Sequence, residues 1–192
     1  MKWLGYNDYY ERLLLGNNTM NQIYLFRDNP AGVLQLEANS RGLRSVSFIN
    51  PSAYTTHGWL QHEPADHPAR EHVLSAVDQL NEYFKGRLKK FDVQMDLSGL
   101  SAFTRLVLDH TIRINWGDVT TYGQLAASMG RPKSFRAVGG ALGRNPIVII
   151  IPCHRVLASS GHLHGYSAYG GLDTKALLLQ IEGHRLEENR LA

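Results

Sequence analysis

The stretch that most constrains this chain is 145–157, Asn-Pro-Ile-Val-Ile-Ile-Ile-Pro-Cys-His-Arg-Val-Leu. Five consecutive β-branched residues, Ile147 to Ile151, predict a short strand buried on both faces. Pro146 and Pro152 bracket it, because neither donates to a central ladder. Directly past the second proline stands Cys153, the only cysteine of the chain, followed by His154 and Arg155. A rigid buried strand that delivers a thiol beside an imidazole and a guanidinium is one way to make a reactive thiolate. The alternative is that Cys153 is a small buried hydrophobe, the usual place of a free cysteine. A single cysteine excludes an internal disulfide and a multi-thiolate metal site.

At 192 residues, 43% apolar and 19% charged, the chain reads as an ordinary globular protein able to bury a real core. No apolar run is long enough for a membrane span. The first 22 residues, with Glu11 among aromatics, do not resemble a signal peptide; they read as an arm or extension packed on the body. Next, 23–26, 33–38 and 43–48 predict strands of a β-meander. Residues 49–67 read as loop. Four of the nine histidines fall between His57 and His72, and scattered histidines in a polar loop give no reason to expect a metal. A helix is predicted over 68–89, where Val73, Val77, Leu80 and Phe84 recur at helical spacing. Residues 91–97 follow as a strand or an extended crossing segment. Residues 98–101 then divide the chain into a domain of 1–98 and a domain of 99–192.

The second part changes character. A helix is predicted over 102–112, with Phe103, Leu106, Val107 and His110 on its apolar stripe. Thr120 or Thr121 caps another over 122–129. A tight turn at 130–132 leads to a third over 134–142. Two helices joined by a three-residue Gly-Pro turn fit a helix-turn-helix as well as an ordinary helical hairpin. Ala137, Gly139, Gly140 and Ala141 suit a helix that lies close to something bulky. Residues 158–172 read as a glycine-rich loop, 173–181 as a last helix, and the tail as frayed. The net charge is +3, but between Arg105 and Arg155 seven basic residues face two acidic ones, which favours a polyanionic partner for this part.

Taken together, Ile151-Pro152-Cys153-His154-Arg155-Val156 resembles the active-site signature of the O6-alkylguanine-DNA alkyltransferases, the methylated-DNA–protein-cysteine methyltransferases. Tyr122 to Ala126, Pro132-Lys133, Arg136 to Gly139, Asn145-Pro146, Gly165-Tyr166, Gly170 to Leu172, Lys175 and Leu178 to Gly183 fall in the same order and close to the same spacing. The resemblance covers most of 99–183 and is fainter over 30–97, where Tyr83-Phe84-Lys85-Gly86 takes part.

This resemblance implies an α+β chain: a small α/β N-terminal domain with an antiparallel, ribonuclease H-like sheet, then a mostly helical domain with a helix-turn-helix and an active-site strand. It implies direct-reversal repair, in which Cys153 takes the alkyl group of O6-alkylguanine, and of O4-alkylthymine, irreversibly and once per molecule. In the family His154 is the base, working through a water; Glu182 orients it, Asn145 is the hinge, and Tyr122 helps rotate the nucleotide and hydrogen-bonds the base. Arg136 fills the space that the flipped nucleotide vacates. Ser134, Ala137 and Gly139 lie on the helix that enters the minor groove, with Arg105, Arg131, Lys133, Arg144 and Arg155 as DNA contacts. Val156, Ser160, Tyr166, Ser167 and Tyr169 would line the substrate pocket, whose loop at 165–171 is two residues longer than usual; a wider pocket, or one partly occluded by Tyr169, is expected. No cofactor or metal is implied. The expected partner is double-stranded DNA and the expected state a monomer, cytoplasmic, or nuclear in a eukaryote. A non-catalytic alkylated-base binder is the alternative, though such relatives replace the cysteine, and a transcription factor lacks a recognisable sensor domain.

Overall fold

A computed structural model of the chain describes residues 22–27, 29–50, 52, 58–59, 67–187 and 190–191. The proposed arm up to residue 21 and His57 and His62 lie outside the described residues. Four antiparallel strands form the first sheet: β1 (Gln22–Phe26), β2 (Val33–Asn39), β3 (Gly42–Ile49) and β4 (Gly58–Trp59), in the order β3-β2-β1-β4. The β2–β3 turn is tight because Asn39 Oδ1 accepts from the Arg41 amide at 2.8 Å. Gly42 follows at φ +143°, where an added Cβ would sit 2.7 Å from the Gln94 carbonyl oxygen. Only glycine fits there.

One face of the sheet is covered by α1 (Pro68–Phe84), whose Ala69, Val73, Ala76, Val77, Leu80 and Tyr83 are buried. Each large apolar side chain of that stripe contributes roughly 1.5–3 kcal/mol. His67 caps the helix, its Nδ1 accepting from the Ala69 amide at 3.2 Å. The helix ends at Phe84, short of the expected Lys89, because Gly86 at φ +71° turns the chain out of it. Residues 91–97 are extended, with a single bridge from Met95 to Leu43.

The second part is helical, with α2 (Ala102–Thr111), α3 (Tyr122–Ser128), α4 (Phe135–Leu142) and α5 (Gly171–Ile181). Thr121 and Gln124 close a reciprocal cap at the start of α3. A short 3₁₀ turn, Pro132–Ser134, joins α3 to α4. The buried stripe of α2 is Thr104, Val107, Leu108 and Thr111 rather than one through Leu106 and His110. Two short strands, β5 (Thr120–Thr121) and β6 (Val156–Leu157), pair in parallel. The tail, expected to fray, instead forms a ladder of β7 (Leu186–Glu187) with β8 (Arg190–Leu191), and Leu186 and Leu191 pack beside buried Leu157, Leu163 and Leu179.

The largest departure from expectation is 147–151. All five residues are buried, yet they make no strand. Val46 of β3 donates to the Pro146 carbonyl at 2.9 Å and accepts from Val148 at 3.0 Å. The chain then reverses. The Ile150 amide bonds the Val148 carbonyl at 2.9 Å across Ile149, whose φ is +71°, a γ-turn that β-branched residues rarely enter. A second tight turn follows across Pro152 (φ −82°, ψ 62°), where the Cys153 amide bonds the Ile151 carbonyl at 2.8 Å. The apolar run reports burial correctly, but the backbone spends its donors on β3 and on itself. These contacts join the two parts of the chain into one continuous core.

Candidate functional site

Cys153 opens a 3₁₀ turn, Cys153–Arg155, directly after the Pro152 turn. It stands at the wall of a cavity of about 410 Å³ lined by Tyr122, Gly139, Leu142, Gly143, Cys153, Gly165, Tyr166 and Ser167. That volume is in the range of small-molecule sites. The wall combines α3, α4, the turn after α4 and the loop before α5. Gly139 matters there: a Cβ would lie 3.8 Å from the Tyr122 ring, so a larger side chain would fill the cavity.

Asn145 ties the turn to the thiol. Its Nδ2 donates to the Ile151 carbonyl at 2.8 Å and to Cys153 Sγ at 3.2 Å, while its Oδ1 accepts from the Ile147 amide at 3.1 Å. Burial pushes the Cys153 thiol up from its ordinary value, against the opposing effects of the Asn145 hydrogen bond and the Lys175 charge. The resting group is therefore a thiol, and a nearby base must take its proton before attack.

His154 is fully buried, and burial lowers its pKa against the raising effect of Glu182. Its Nε2 faces Glu182 Oε1 at 2.8 Å, which places the ring proton on Nε2 in the neutral form. Nδ1 is then a free lone pair, buried and without a partner among the described residues. Glu182 lies at the end of α5 and collects four donors. Arg155 Nε reaches Oε2 and Nη2 reaches Oε1, both at 2.8 Å; Tyr83 Oη reaches Oε1 at 2.9 Å. Burial raises the Glu182 pKa, but the hydrogen bonds and charges of His154 and Arg155 outweigh it and hold it at about 2.

Arg155 is a correction to the sequence reading. Its side chain is only 5% exposed, and it is committed to Glu182 and, through Nη1, to the Ile114 carbonyl. It is neither exposed for a phosphate contact nor free to activate the thiol. The cation placed toward the thiol is Lys175 instead. It is fully buried, donates to the Val156 carbonyl at 2.8 Å and the His164 carbonyl at 3.2 Å, and is lowered by burial to about 8 with the thiol opposing. Lys175 takes part in the sequence resemblance without an implied role. Its place at i−3 and i−4 from the buried Leu178 and Leu179 was the available signal of a buried cation.

Tyr122 and Tyr166 flank the cavity. Burial and the neighbouring thiol raise both hydroxyls, Tyr166 well above the ordinary value. Tyr122 Oη contacts the His164 carbonyl at 3.5 Å, and Tyr166 Oη is buried without a partner among the described residues. Ser167 lines the cavity, but Val156, Ser160 and Tyr169 do not. The Val156 carbonyl is engaged by Lys175, and Ser160 Oγ pairs with His162 Nδ1 at 3.1 Å. Tyr169 is 51% exposed and does not line the cavity, so its side chain neither widens nor occludes it. Thr174 Oγ1 holds the loop by bonding the Tyr169 carbonyl at 2.9 Å. Among the described residues no cluster of three His, Cys, Asp or Glu stands together to hold a metal.

Arg136, Ala137 and Gly140 are exposed on α4, with Arg144 exposed just beyond it. The Arg136 guanidinium lies 5.3 Å from the centre of the exposed Phe135 ring. Arg131 and Lys133 are exposed in the preceding turn, Ser134 is half-buried, and Arg105 is exposed on α2. This is a cationic, small-residue surface on the helix that also supplies Gly139 and Leu142 to the cavity wall, suited to a nucleic-acid backbone.

Comparison with known proteins agrees with this arrangement. Residues 102–184 match the family model described as 6-O-methylguanine DNA methyltransferase, DNA binding domain, and residues 23–97 match its ribonuclease-like domain. A methylated-DNA–protein-cysteine methyltransferase of Methanosarcina acetivorans is 38% identical over 83% of this chain and 97% of its own. One from Mycolicibacterium paratuberculosis is 39% identical over 81% and 88%. Among solved structures, the Mycobacterium tuberculosis O6-methylguanine methyltransferase superposes with a TM-score of 0.69 at 38% identity, covering 88% of this chain and 96% of that one. The Mycobacterium tuberculosis protein in complex with DNA gives 0.68 over 83% and 91%.

Proposed function

The chain belongs to the 6-O-methylguanine DNA methyltransferase family, and we propose on that premise that it repairs DNA by moving the alkyl group of O6-alkylguanine, or of O4-alkylthymine, onto Cys153. The observation that carries the reading is a lone thiol at a cavity wall, held by Asn145, with a neutral His154 and an ion-paired Glu182 packed behind it.

In this reading His154 Nδ1 takes the thiol proton through a water. The sulfur then attacks the alkyl carbon, the S–C bond forms as the C–O6 bond breaks, and the bonding pair leaves on the guanine. Tyr122, beside the cavity, supplies a hydrogen bond or proton to the base as that charge develops. Lys175 stabilises the thiolate. The product thioether has no nucleophile left, so each molecule acts once. The nucleotide enters the cavity flipped out of the duplex, with α4 in the minor groove, Arg136 in the vacated space, and Arg105, Arg131, Lys133 and Arg144 on phosphates. The chain works as two domains, 1–98 and 99–192, as a monomer, in the cytoplasm or in the nucleus of a eukaryote.

The test is a titration of the protein into duplex DNA carrying one O6-methylguanine, with guanine recovery measured by base analysis. The reading expects a sharp end point at one protein per lesion. Binding without recovery of guanine would favour a lesion-binding protein that flags the site for other factors.

A further inference from the structure

Tyr83 belongs to α1, in the other part of the chain, yet its hydroxyl ends on the carboxylate that serves His154. The side chain is fully buried, and Glu182 Oε1 at 2.9 Å is its partner. Three aromatic rings fix it. Trp116 stands edge-on at 5.1 Å, Phe84 edge-on at 5.4 Å and Phe91 tilted at 5.5 Å from the Tyr83 ring. A buried hydroxyl that met nothing would cost stability, so phenylalanine would serve equally well if only packing were required.

Nor is the hydroxyl needed to anchor Glu182. Arg155 already grips both carboxylate oxygens. What Tyr83 adds is a third donor on the one oxygen that also accepts from His154 Nε2. Donors that share one oxygen draw on the same lone-pair density, so each weakens the others. We propose that Tyr83 is a positioning residue of the transfer reaction: by sharing Oε1 it limits how strongly Glu182 holds the His154 ring proton, and so sets the proton affinity of Nδ1.

The groups that bear on His154 are Glu182 and Lys175 from α5, Arg155 and Cys153 beside it in the chain, and Tyr83 behind Glu182. Of these, Tyr83 is the one contributed from the sheet-and-helix part of the chain. The proposal therefore gives that part a chemical share in a reaction whose other groups all lie beyond residue 101. It rests on the reading of His154 as the base.

The test compares wild type with Tyr83→Phe, which keeps the ring and removes the donor. Single-turnover methyl transfer is measured across the acid limb of the pH–rate profile, and the His154 ring is titrated by NMR in the same samples. With one donor gone, Oε1 binds the imidazolium more strongly, and the limb and the His154 titration both move to higher pH by roughly half a unit to one unit. Site-specific 3-fluorotyrosine at position 83, a stronger donor of nearly the same size, moves both the other way. A lower melting temperature with neither curve displaced in either variant would overturn the proposal and leave Tyr83 a packing residue. A displaced His154 titration with an unmoved rate limb would leave Tyr83 coupled to His154 but overturn the role of both in the transfer reaction.

Discussion

Glu182→Gln is the perturbation whose size the structure fixes best. The carboxylate is fully buried and receives donors from His154, Tyr83 and twice from Arg155. Its carboxyl is held at about 2 against an ordinary 4.5, the hydrogen bonds and charges of His154 and Arg155 outweighing the effect of burial. At about 1.4 kcal/mol per pH unit that gap is worth about 3 kcal/mol. Independently, removing one partner of a buried ion pair costs about 3–5 kcal/mol, because the other charge is left unpaired. Glutamine also turns a donor toward the Arg155 guanidinium, so isosterism does not rescue the pair. A chain of this size loses roughly 2–4 °C of melting temperature per kcal/mol. The expected drop at neutral pH is therefore on the order of 10 °C. The pH dependence has a definite sign. A depressed carboxyl stabilises the fold above its unfolded value, and that contribution fades as pH falls from about 4.5 through about 2. Denaturant unfolding of both proteins at neutral pH and in steps below 4.5 should show the gap narrowing with acid. A cost below about 1 kcal/mol at neutral pH, or a gap constant with pH, would refute the reasoning.

Two further substitutions separate the thiol from the DNA surface. Asn145→Asp keeps the bond to the Ile147 amide but loses the donor to Cys153 Sγ; it also brings a negative charge toward the sulfur. Thiol reactivity toward a small alkylating probe should fall at least tenfold at neutral pH, and an unchanged rate would show that Asn145 does not support the thiolate. Arg136→Ala leaves the cavity lining intact. Transfer from the free base O6-methylguanine should stay close to wild type while transfer from duplex DNA falls by one to two orders of magnitude, a loss of about 1.4 kcal/mol per decade; equal losses on both substrates would contradict a flipping role.

Much of this molecule was legible in its sequence, and the places where it was not share a cause. Period-two and period-3.6 patterns mark β1 to β3 and α1, because those elements bury one face each, whereas β4 lies in 49–67, a polar stretch that reads as loop; α3 and α4 are marked by a capping threonine and a Gly-Pro turn. The run 147–151 carried the right information about burial and the wrong information about backbone. Five apolar β-branched residues look alike whether they extend or turn, and the reversal at Ile149 is imposed by bonds to Val46 that lie a hundred residues away in the chain. Arg155 was misread for a related reason. Adjacency to Cys153 suggested that its charge served the thiol, but neighbouring residues in a 3₁₀ turn point in different directions, and Glu182 claims the guanidinium. Tyr83 and Lys175 took part in the family resemblance without an assigned role. A buried hydroxyl or ammonium becomes informative only when its partner is known, and both partners are distant in sequence.

The central claim is that Cys153 accepts the alkyl group. Its most direct test is the intact mass of the protein after incubation with duplex DNA carrying O6-methylguanine, for wild type and Cys153→Ala, followed by peptide mapping. The account predicts a gain of a single methyl in the wild type, located on Cys153 and absent from the variant. A wild type that binds the lesion tightly with no change in mass, or an adduct on any other residue, would contradict it.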